Sequence, residues 1–287
     1  MAAPTAAPPV APGPLTPTAE LVPLAVCRLL SDRSFDKRKA GAQEIEKLMR
    51  RLQGSRETTR KTLMYLVQEF ALSAHANNRK GGLIALASAA IGLGPQIAEH
   101  LDLLVPAITK SFNDPEARVR FYACESLFNL SKICRGAVLA FFGDIFAGIC
   151  KLVADQDTDV KNGAALYDRL LKEVVMESER LDVERFIPLL RSHLGGGNPY
   201  VRQLLVGWIT ALDSVPGISM LDWLPELLEG LFDMLSDVNR DSEWGTVSGG
   251  RALGSLCCCC SCIPSSPPNA QSASRHTQRS RTSWTRC

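Results

Sequence analysis

The residues that could carry nucleophilic, metal or phosphate chemistry are few and scattered along this 287-residue chain. The four histidines do not neighbour a Ser or Cys in any recognisable nucleophile motif: His75, His100, His193 and His276. The run Gly195-Gly196-Gly197 has neither the preceding strand nor the following Lys-Ser/Thr of a phosphate-binding loop, so it predicts a flexible linker between helices. We therefore expect no catalytic residues, no cofactor site and no metal site, and we expect that the protein is not an enzyme.

Ten cysteines invite a metal interpretation, and six of them lie in the last 31 residues. Cys257 and Cys260 form a C-x-x-C pair, but a structural zinc site needs four ligands and the sequence offers no second pair. Palmitoylation of residues 257–262, beside five Arg, is an alternative that would anchor the chain to a membrane. The other four occupy apolar helical positions without a secretory signal, which predicts small buried side chains in a reducing compartment: Cys27, Cys124, Cys134 and Cys150.

A regular spacing of basic residues is more informative than any of these groups. A Lys or Arg recurs every 40 or 41 positions: Lys39, Lys80, Arg120, Lys161 and Arg202. A second series has twice that period, with spacings of 83 and 82: Pro23, Pro106 and Pro188. A period near 40 is typical of stacked helix pairs of the HEAT or armadillo type. The sequence therefore predicts an all-α protein, a right-handed α-solenoid of about five and a half such repeats.

Apolar residues at helical spacing, separated by short Asp-, Asn-, Gly- or Pro-containing breaks, place the helices of each pair. The third repeat pairs residues 96–112 with a helix whose apolar face runs from Val119 to Cys134. A sixth repeat opens at 221–235 without a recognisable second helix. The remaining predicted pairs are 20–31 with 37–52, 57–72 with 79–93, 139–154 with 160–176, and 183–194 with 201–213.

The periodic charges predict contacts between neighbouring repeats. Asp114 and Asp155 fall in turns, while the basic residues open second helices, so each turn carboxylate can meet the basic group of the adjacent repeat. We expect a structural ladder from Asp114, Arg120, Asp155, Lys161, Arg202 and Lys80. Direct contact with a partner is the alternative role. For the partner surface itself we select two pairs on second helices: Lys132 with Arg135, and Arg169 with Lys172.

The two ends differ in composition from the middle of the chain. Residues 1–18 are rich in Ala and Pro and predict a disordered leader, before a solenoid over 19–238. Residues 239–287 lack helical periodicity and contain no acidic residue after Glu243, which indicates a disordered, non-homologous Ser/Arg/Cys-rich tail from a splice variant or a gene-model artefact. No uninterrupted apolar run reaches the roughly 18 residues that span a bilayer, and IALASAAIGLG is predicted to be a core helix.

Composition narrows the class of binding protein. A net charge of +2 argues against a nucleic-acid binder that depends on bulk electrostatics. Near neutrality and scattered Trp argue against a transport-type HEAT or armadillo receptor, which carries Trp/Asn ladders or an acidic groove. A peripheral phosphoinositide-binding protein that acts through its basic residues is a rival from another class.

Several segments together resemble one known family: KRKAGAQEIEKLMR, QEFALSAHANNRKGGLIALASAAIGLG, SFNDPEARVRFYACESLFNL, RGAVLAFF, DRLLKEVV and FIPLLRSHL. The family is the HEAT-repeat scaffold of the endolysosomal phosphatidylinositol 3-phosphate 5-kinase complex, and the resemblance covers roughly residues 15–237. It implies a non-catalytic scaffold that binds the kinase and its opposing Sac-type phosphoinositide 5-phosphatase. Such a scaffold promotes phosphatidylinositol 3,5-bisphosphate synthesis and turnover at the cytoplasmic face of endosome and lysosome or vacuole membranes.

The resemblance also implies a division of contacts along the family's longer solenoid. Kinase contact is placed towards the N-terminal part. Self-association and phosphatase contact belong to a C-terminal part that the matching segments do not include.

Overall fold

In a computed structural model, residues 21–178, 182–215 and 218–236 are described, and this part of the chain is helical without strands. The predicted leader and the predicted tail, with its cysteines and His276, lie outside these residues. The eleven α-helices of the described part are α1 Leu24–Leu30, α2 Phe35–Leu52, α3 Arg56–Tyr65, α4 Ala76–Leu93, α5 Leu101–Lys110, α6 Ala117–Cys134, α7 Phe142–Leu152, α8 Thr158–Glu177, α9 Val183–Leu194, α10 Pro199–Asp213 and α11 Leu224–Ser236.

Consecutive helices pair as the sequence predicts, from α1 with α2 to α9 with α10, and α11 opens the sixth repeat. In the second repeat, the segment Leu66–Ala71 that continues α3 makes the contact with α4. The second helices α2, α4, α6 and α8 pack side by side, and α10 continues the row more loosely against α8. The all-α solenoid is therefore confirmed. The main differences are short segments at helix ends: a π-helical turn at Leu66–Ala71 after α3, and 3-10 turns at Gly94–His100, Ser111–Asn113 and Arg135–Phe141.

Polar residues in the breaks stop one helix and start the next. Asp157 caps α8 by accepting a hydrogen bond from the Val160 amide at 3.1 Å. Asn198 caps α10 by accepting from the amides of Tyr200 and Val201 at 3.0 and 3.3 Å. These bonds satisfy amides that have no partner within the helix, so the turn residues fix where each second helix begins.

Helix α4 is buried on every side, because each residue from Gly81 to Ala90 is buried. A Cβ added at Gly81 would lie 1.9 Å from the Leu30 carbonyl oxygen, and one at Gly82 would lie 2.5 Å from the Ala71 amide nitrogen. Only glycine permits such close approach of α4 to its neighbours. The glycine pair therefore serves packing, and IALASAAIGLG forms a core helix as predicted.

The small side chains of α4 let its two neighbours meet across it. Phe35 at the start of α2 stacks on Tyr122 of α6, with ring centroids 6.1 Å apart and planes 1° from parallel. One turn further along the same helices, Lys39 of α2 acts electrostatically on Glu125 of α6. These contacts lie on the outward side of the row of second helices, which forms one continuous face. We refer to it as the concave face, as in other helical solenoids.

By length and composition alone, two stretches could cross a membrane: Ala76–Asn113 and Ala117–Leu152. Each is a succession of separate helices and 3-10 turns rather than one helix. In the first, 72% of the most apolar window is buried inside the fold, compared with 39% in the second. The apolar character of the first stretch is thus accounted for by α4 and its packing.

Four rings form the core of the C-terminal repeats: Phe142, Phe146, Phe186 and Trp208. Phe142 packs edge-to-face on Phe186 with centroids 4.7 Å apart, a favoured aromatic geometry. The cluster joins α7, α9 and α10, and so holds the fourth and fifth repeats together. Beyond it, α11 buries Leu227 against the stack but leaves 61% of Phe232 exposed.

Candidate functional site

Two ion pairs join successive repeats at matching places in the period. The guanidinium of Arg79 donates to Asp114 from Nε at 2.6 Å and from Nη2 at 3.2 Å. One repeat further on, Arg120 donates to Asp155 from Nε at 2.7 Å and from Nη2 at 2.8 Å. Both pairs are largely buried, and paired, two-point contacts of this kind fix orientation as well as distance.

Arginines at this position of the period also donate hydrogen bonds to the turn that precedes their own helix. Arg38, Arg79 and Arg120 each donate from Nη1 to the carbonyl oxygen six residues earlier, at 2.9, 3.1 and 2.7 Å. Arg202 donates from Nε to the Gly196 carbonyl, also six residues earlier, at 2.9 Å. The ladder position therefore recurs every 41 residues and includes Arg38 and Arg79.

Two residues assigned to the ladder from sequence do not take that place. Lys80 is one residue out of register, and its ammonium pairs with Glu116 at 2.6 Å while Arg79 meets Asp114. Lys161 is in register, but its ammonium lies 4.9 Å from the centroid of the Tyr200 ring. The carboxylate is missing there because Gly196 occupies the turn position equivalent to Asp155.

Each ladder carboxylate also shapes the turn that carries it. Asp114 accepts a hydrogen bond from the Glu116 amide at 2.9 Å, and Asp155 accepts one from the Asp157 amide at 2.9 Å. Burial of Asp155 opposes ionisation, but the hydrogen bonds from Arg120 and the Asp157 amide outweigh it and hold the pKa of this carboxyl below its usual value. The ion pair is therefore intact at neutral pH.

The ladder lacks a carboxylate at the first junction as well. Ser73 occupies the turn position 41 residues before Asp114. Arg38, which would face it, is buried, and its Nε has no hydrogen-bond partner. A buried donor without an acceptor costs free energy, so this junction carries a defect that the next two do not.

The basic residues selected for partner contact divide into two kinds. Arg135 and Lys172 are both engaged in ion pairs: the half-exposed Arg135 pairs with the exposed Glu177 at 2.7 Å, and the largely buried Lys172 pairs with Asp168 at 2.6 Å. Lys132 and Arg169 are exposed, and no ion pair is recorded for either within the described part of the chain. Lys132 lies in the last turn of α6 and Arg169 lies on α8, so both belong to the concave row.

Lys172 belongs to a compact polar cluster between α8 and α10. Asp168 accepts a hydrogen bond from Trp208 Nε1 at 2.6 Å and binds the Lys172 ammonium, which lies 5.3 Å from the centroid of the Trp208 ring. Burial raises the pKa of the Asp168 carboxyl, although both hydrogen bonds oppose the rise. The spacing of Asp168 and Lys172, four residues apart on one helix, could have revealed this pair from the sequence.

Asp168 and Lys172 of this cluster form the floor of a groove with a cavity volume of about 640 Å³. Lys161 and Tyr200 stand at its edge, and Asn162 and Gln203 line its sides. The sequence alone does not predict this groove, because it arises where α10 separates from α8.

The candidate nucleophiles are placed as packing residues. Burial raises the pKa of the Cys134 and Cys150 thiols to about 12 and that of the Cys124 thiol further still, so all three are protonated at neutral pH. His100 is buried, its Nδ1 has no partner, and burial lowers its pKa. Across the described residues, no group of three or more His, Cys, Asp or Glu side chains could hold a metal ion.

Residues 77–173 match the family described as the Vacuolar 14 Fab1-binding region. Relatives match over most of the chain. The "Protein VAC14 homolog" of Arabidopsis thaliana is 49% identical over 222 residues, which cover 77% of this chain and 30% of the relative. The "Vacuole morphology and inheritance protein 14" of Saccharomyces cerevisiae is 33% identical over 258 residues, covering 75% of this chain and 29% of the relative.

Among solved structures, a similar fold occurs in the complex in which Kap95p binds RanGDP. The TM-score is 0.51 at 12% sequence identity, and the match covers 85% of this chain and 31% of Kap95p. At that identity the likeness concerns the fold alone.

The fold and its matched region define a helical solenoid of HEAT type that contains a Vacuolar 14 Fab1-binding region. The chain is a homologue of the VAC14 proteins. It spans about 30% of the length of the two relatives described above.

Proposed function

We propose that this chain is a non-catalytic scaffold that binds a Fab1-type phosphatidylinositol 3-phosphate 5-kinase through the helices of residues 77–173. The observation that carries the proposal is the match of these residues to the Vacuolar 14 Fab1-binding region. They comprise α4 to α7 and most of α8, a continuous run of stacked helices rather than scattered pieces.

The contacts within this run support a scaffold role. Both complete rungs of the ladder, Arg79 with Asp114 and Arg120 with Asp155, lie inside the matched residues. They fix the angle between successive repeats before any partner arrives. A surface held in this way loses little conformational entropy on binding, which favours affinity.

In the wider function that we propose, the scaffold also brings the kinase together with its opposing Sac-type phosphoinositide 5-phosphatase. It thereby promotes synthesis and turnover of phosphatidylinositol 3,5-bisphosphate on endosome and lysosome or vacuole membranes, with which it associates peripherally. The family resemblance of the sequence supports these roles. The kinase is the partner assigned to the part of the solenoid described here.

The test is a pull-down of purified kinase and phosphatase with this chain as bait, after circular dichroism has established that the bait is helical. Capture of the kinase is the expected result. Failure of a folded bait to retain the kinase contradicts the proposal. Charge reversal of the exposed concave residues Lys132 and Arg169 should weaken capture, whereas reversal of Lys110, an exposed lysine at the end of first helix α5, should leave it unchanged.

A further inference from the structure

The groove between α8 and α10 extends the concave surface beyond the residues that match the kinase-binding region. One wall, α8, lies almost wholly inside those residues, and the other, α10, begins 26 positions after their end, at Pro199. The groove therefore continues the surface to which the proposed function assigns the kinase.

The residues of the groove present a cation and an aromatic ring to the solvent. Lys161 holds its ammonium 4.9 Å from the centroid of the Tyr200 ring, and 41% of Tyr200 is exposed. Lys172 also lines the groove, but its ammonium is already paired with Asp168. A cation placed on an aromatic face keeps its charge while losing some of its water, so it is well prepared to meet an anion.

The single carboxylate that lines the groove is already occupied. Asp168 is 9% exposed, and its two oxygens are used by Trp208 Nε1 and Lys172 Nζ. The charge that remains for an incoming segment is therefore positive and comes chiefly from Lys161.

A glycine in α10 leaves room for the Lys172 ammonium. A Cβ added at Gly207 would come within 3.0 Å of Lys172 Nζ, so a larger residue would displace the ammonium from the floor. Asn162 and Gln203 add amide groups along the sides that can bond to the main chain of a ligand.

From this geometry we infer that the α8–α10 groove binds an acidic segment of the kinase, which places a carboxylate on Lys161 and packs an apolar side chain on Tyr200. The inference rests on the proposed function, because the occupant is the same kinase. It adds the place of contact and the chemistry of the segment that is held.

The test combines charge reversal with site-specific cross-linking on the full chain. Lys161→Glu should weaken kinase binding about tenfold, since an attraction at a partly exposed site becomes a repulsion of similar size. Tyr200→Ala should weaken binding further, and raising the salt concentration should weaken the wild type more than Lys161→Glu. Lys110→Glu is the matched control and should bind like the wild type.

A photo-cross-linking residue at Gln203 should capture a kinase peptide rich in Asp and Glu, whereas the same residue at Lys110 should capture none. If the kinase binds but Lys161→Glu has wild-type affinity, or the Gln203 cross-link yields a peptide without acidic residues, the inference is wrong and the proposed function stands. If a folded chain does not bind the kinase at all, both are wrong.

Discussion

Phe35 and Tyr122 stack in parallel although they belong to the first and third repeats, with their ring centroids 6.1 Å apart. The helix between them, α4, presents small side chains and is buried along its whole middle section. The first three repeats are therefore linked beyond nearest neighbours, whereas an ordinary solenoid is stabilised mainly by contacts between adjacent repeats.

Removal of the Phe35 ring should weaken this link. We expect Phe35→Ala to lower the free energy of unfolding by about 1 kcal/mol, the range measured for aromatic pairs beyond simple burial. Urea unfolding of the two single variants and of the double variant with Tyr122→Ala measures the coupling. Phe35→Leu keeps apolar bulk without the ring and serves as the control. Strict additivity of the two alanine variants would show that the stack contributes nothing.

Glu125 should make stability depend on pH near neutrality. Burial raises the pKa of its carboxyl to about 7, with Lys39 partly opposing the rise. A raised carboxyl pKa means that the folded state favours the protonated form, so stability falls as pH rises from the unfolded value towards 7. Glu125→Gln should therefore raise the free energy of unfolding by about 1–2 kcal/mol at pH 8, after allowance for solvent screening, and have little effect at pH 4.5. Equal effects at both pH values would contradict the assignment.

Ser73→Asp should complete the missing rung of the ladder. The new carboxylate would stand in the register of Asp114 and Asp155 and accept a hydrogen bond from the buried Arg38 Nε. We expect a gain of about 1 kcal/mol, because an unsatisfied buried donor acquires an acceptor. Thermal unfolding measures it, with Ser73→Asn as a control of similar size and no charge. A melting temperature that rises equally with Asn would mean that charge is not the cause.

The buried ion pair of Arg120 with Asp155 should contribute far more to the free energy of unfolding than the exposed ion pair of Arg118 with Asp159. Arg120→Ala leaves a buried carboxylate without its partner and should cost about 3 kcal/mol. Arg118→Ala removes a pair with Asp159 in which both side chains are 58% exposed, and should cost less than about 1 kcal/mol. Chemical denaturation of both variants makes the comparison, and similar losses would refute the distinction.

Arg120→Ala should also change how the stability of the protein depends on pH in acid. Because the pKa of Asp155 is lowered in the folded state, the carboxylate contributes stability above its unfolded pKa, and this contribution is lost as pH falls. Without Arg120 that contribution shrinks, so Arg120→Ala should lose less stability than the wild type between pH 6 and pH 3. A steeper acid loss in the variant would show that Arg120 is not what lowers the pKa.

The order and pairing of the helices could be predicted because their signals are local. Turn residues such as Asn113-Asp114-Pro115 interrupt apolar stripes of helical period, and the period of about 40 then supplies the stacking. The ladder register was harder to assign, since Arg79-Lys80 offers two basic residues side by side. Arg38, Arg79 and Arg120 are spaced by 41 residues, so Arg79 is the residue in register. Lys80, which follows it directly, fits the looser spacing of 40 or 41 and is therefore easily taken in its place.

The α8–α10 groove and the contact of α2 with α6 across α4 could not be predicted from the sequence, because both depend on the distances between helices. Gly81 shows only that some close approach occurs, and not that α2 and α6 then meet across the helix. Similarly, Lys172 and Tyr200 lie on different helices. They line the same cavity because α10 stands apart from α8 and leaves a space between the two helices.

The contrast between the tightly joined repeats and the looser α8–α10 junction has a mechanical consequence. Under tension, the first four repeats should behave as a stiff arm, since stretching them breaks buried ion pairs or the stack across α4. Extension should concentrate on the second-helix side between α8 and α10, because the ring cluster of α7, α9 and α10 holds the first-helix side of the same junction. The described residues thus form a stiff arm that can hinge about the ring cluster, and a ligand bound in the groove would set the angle of that hinge.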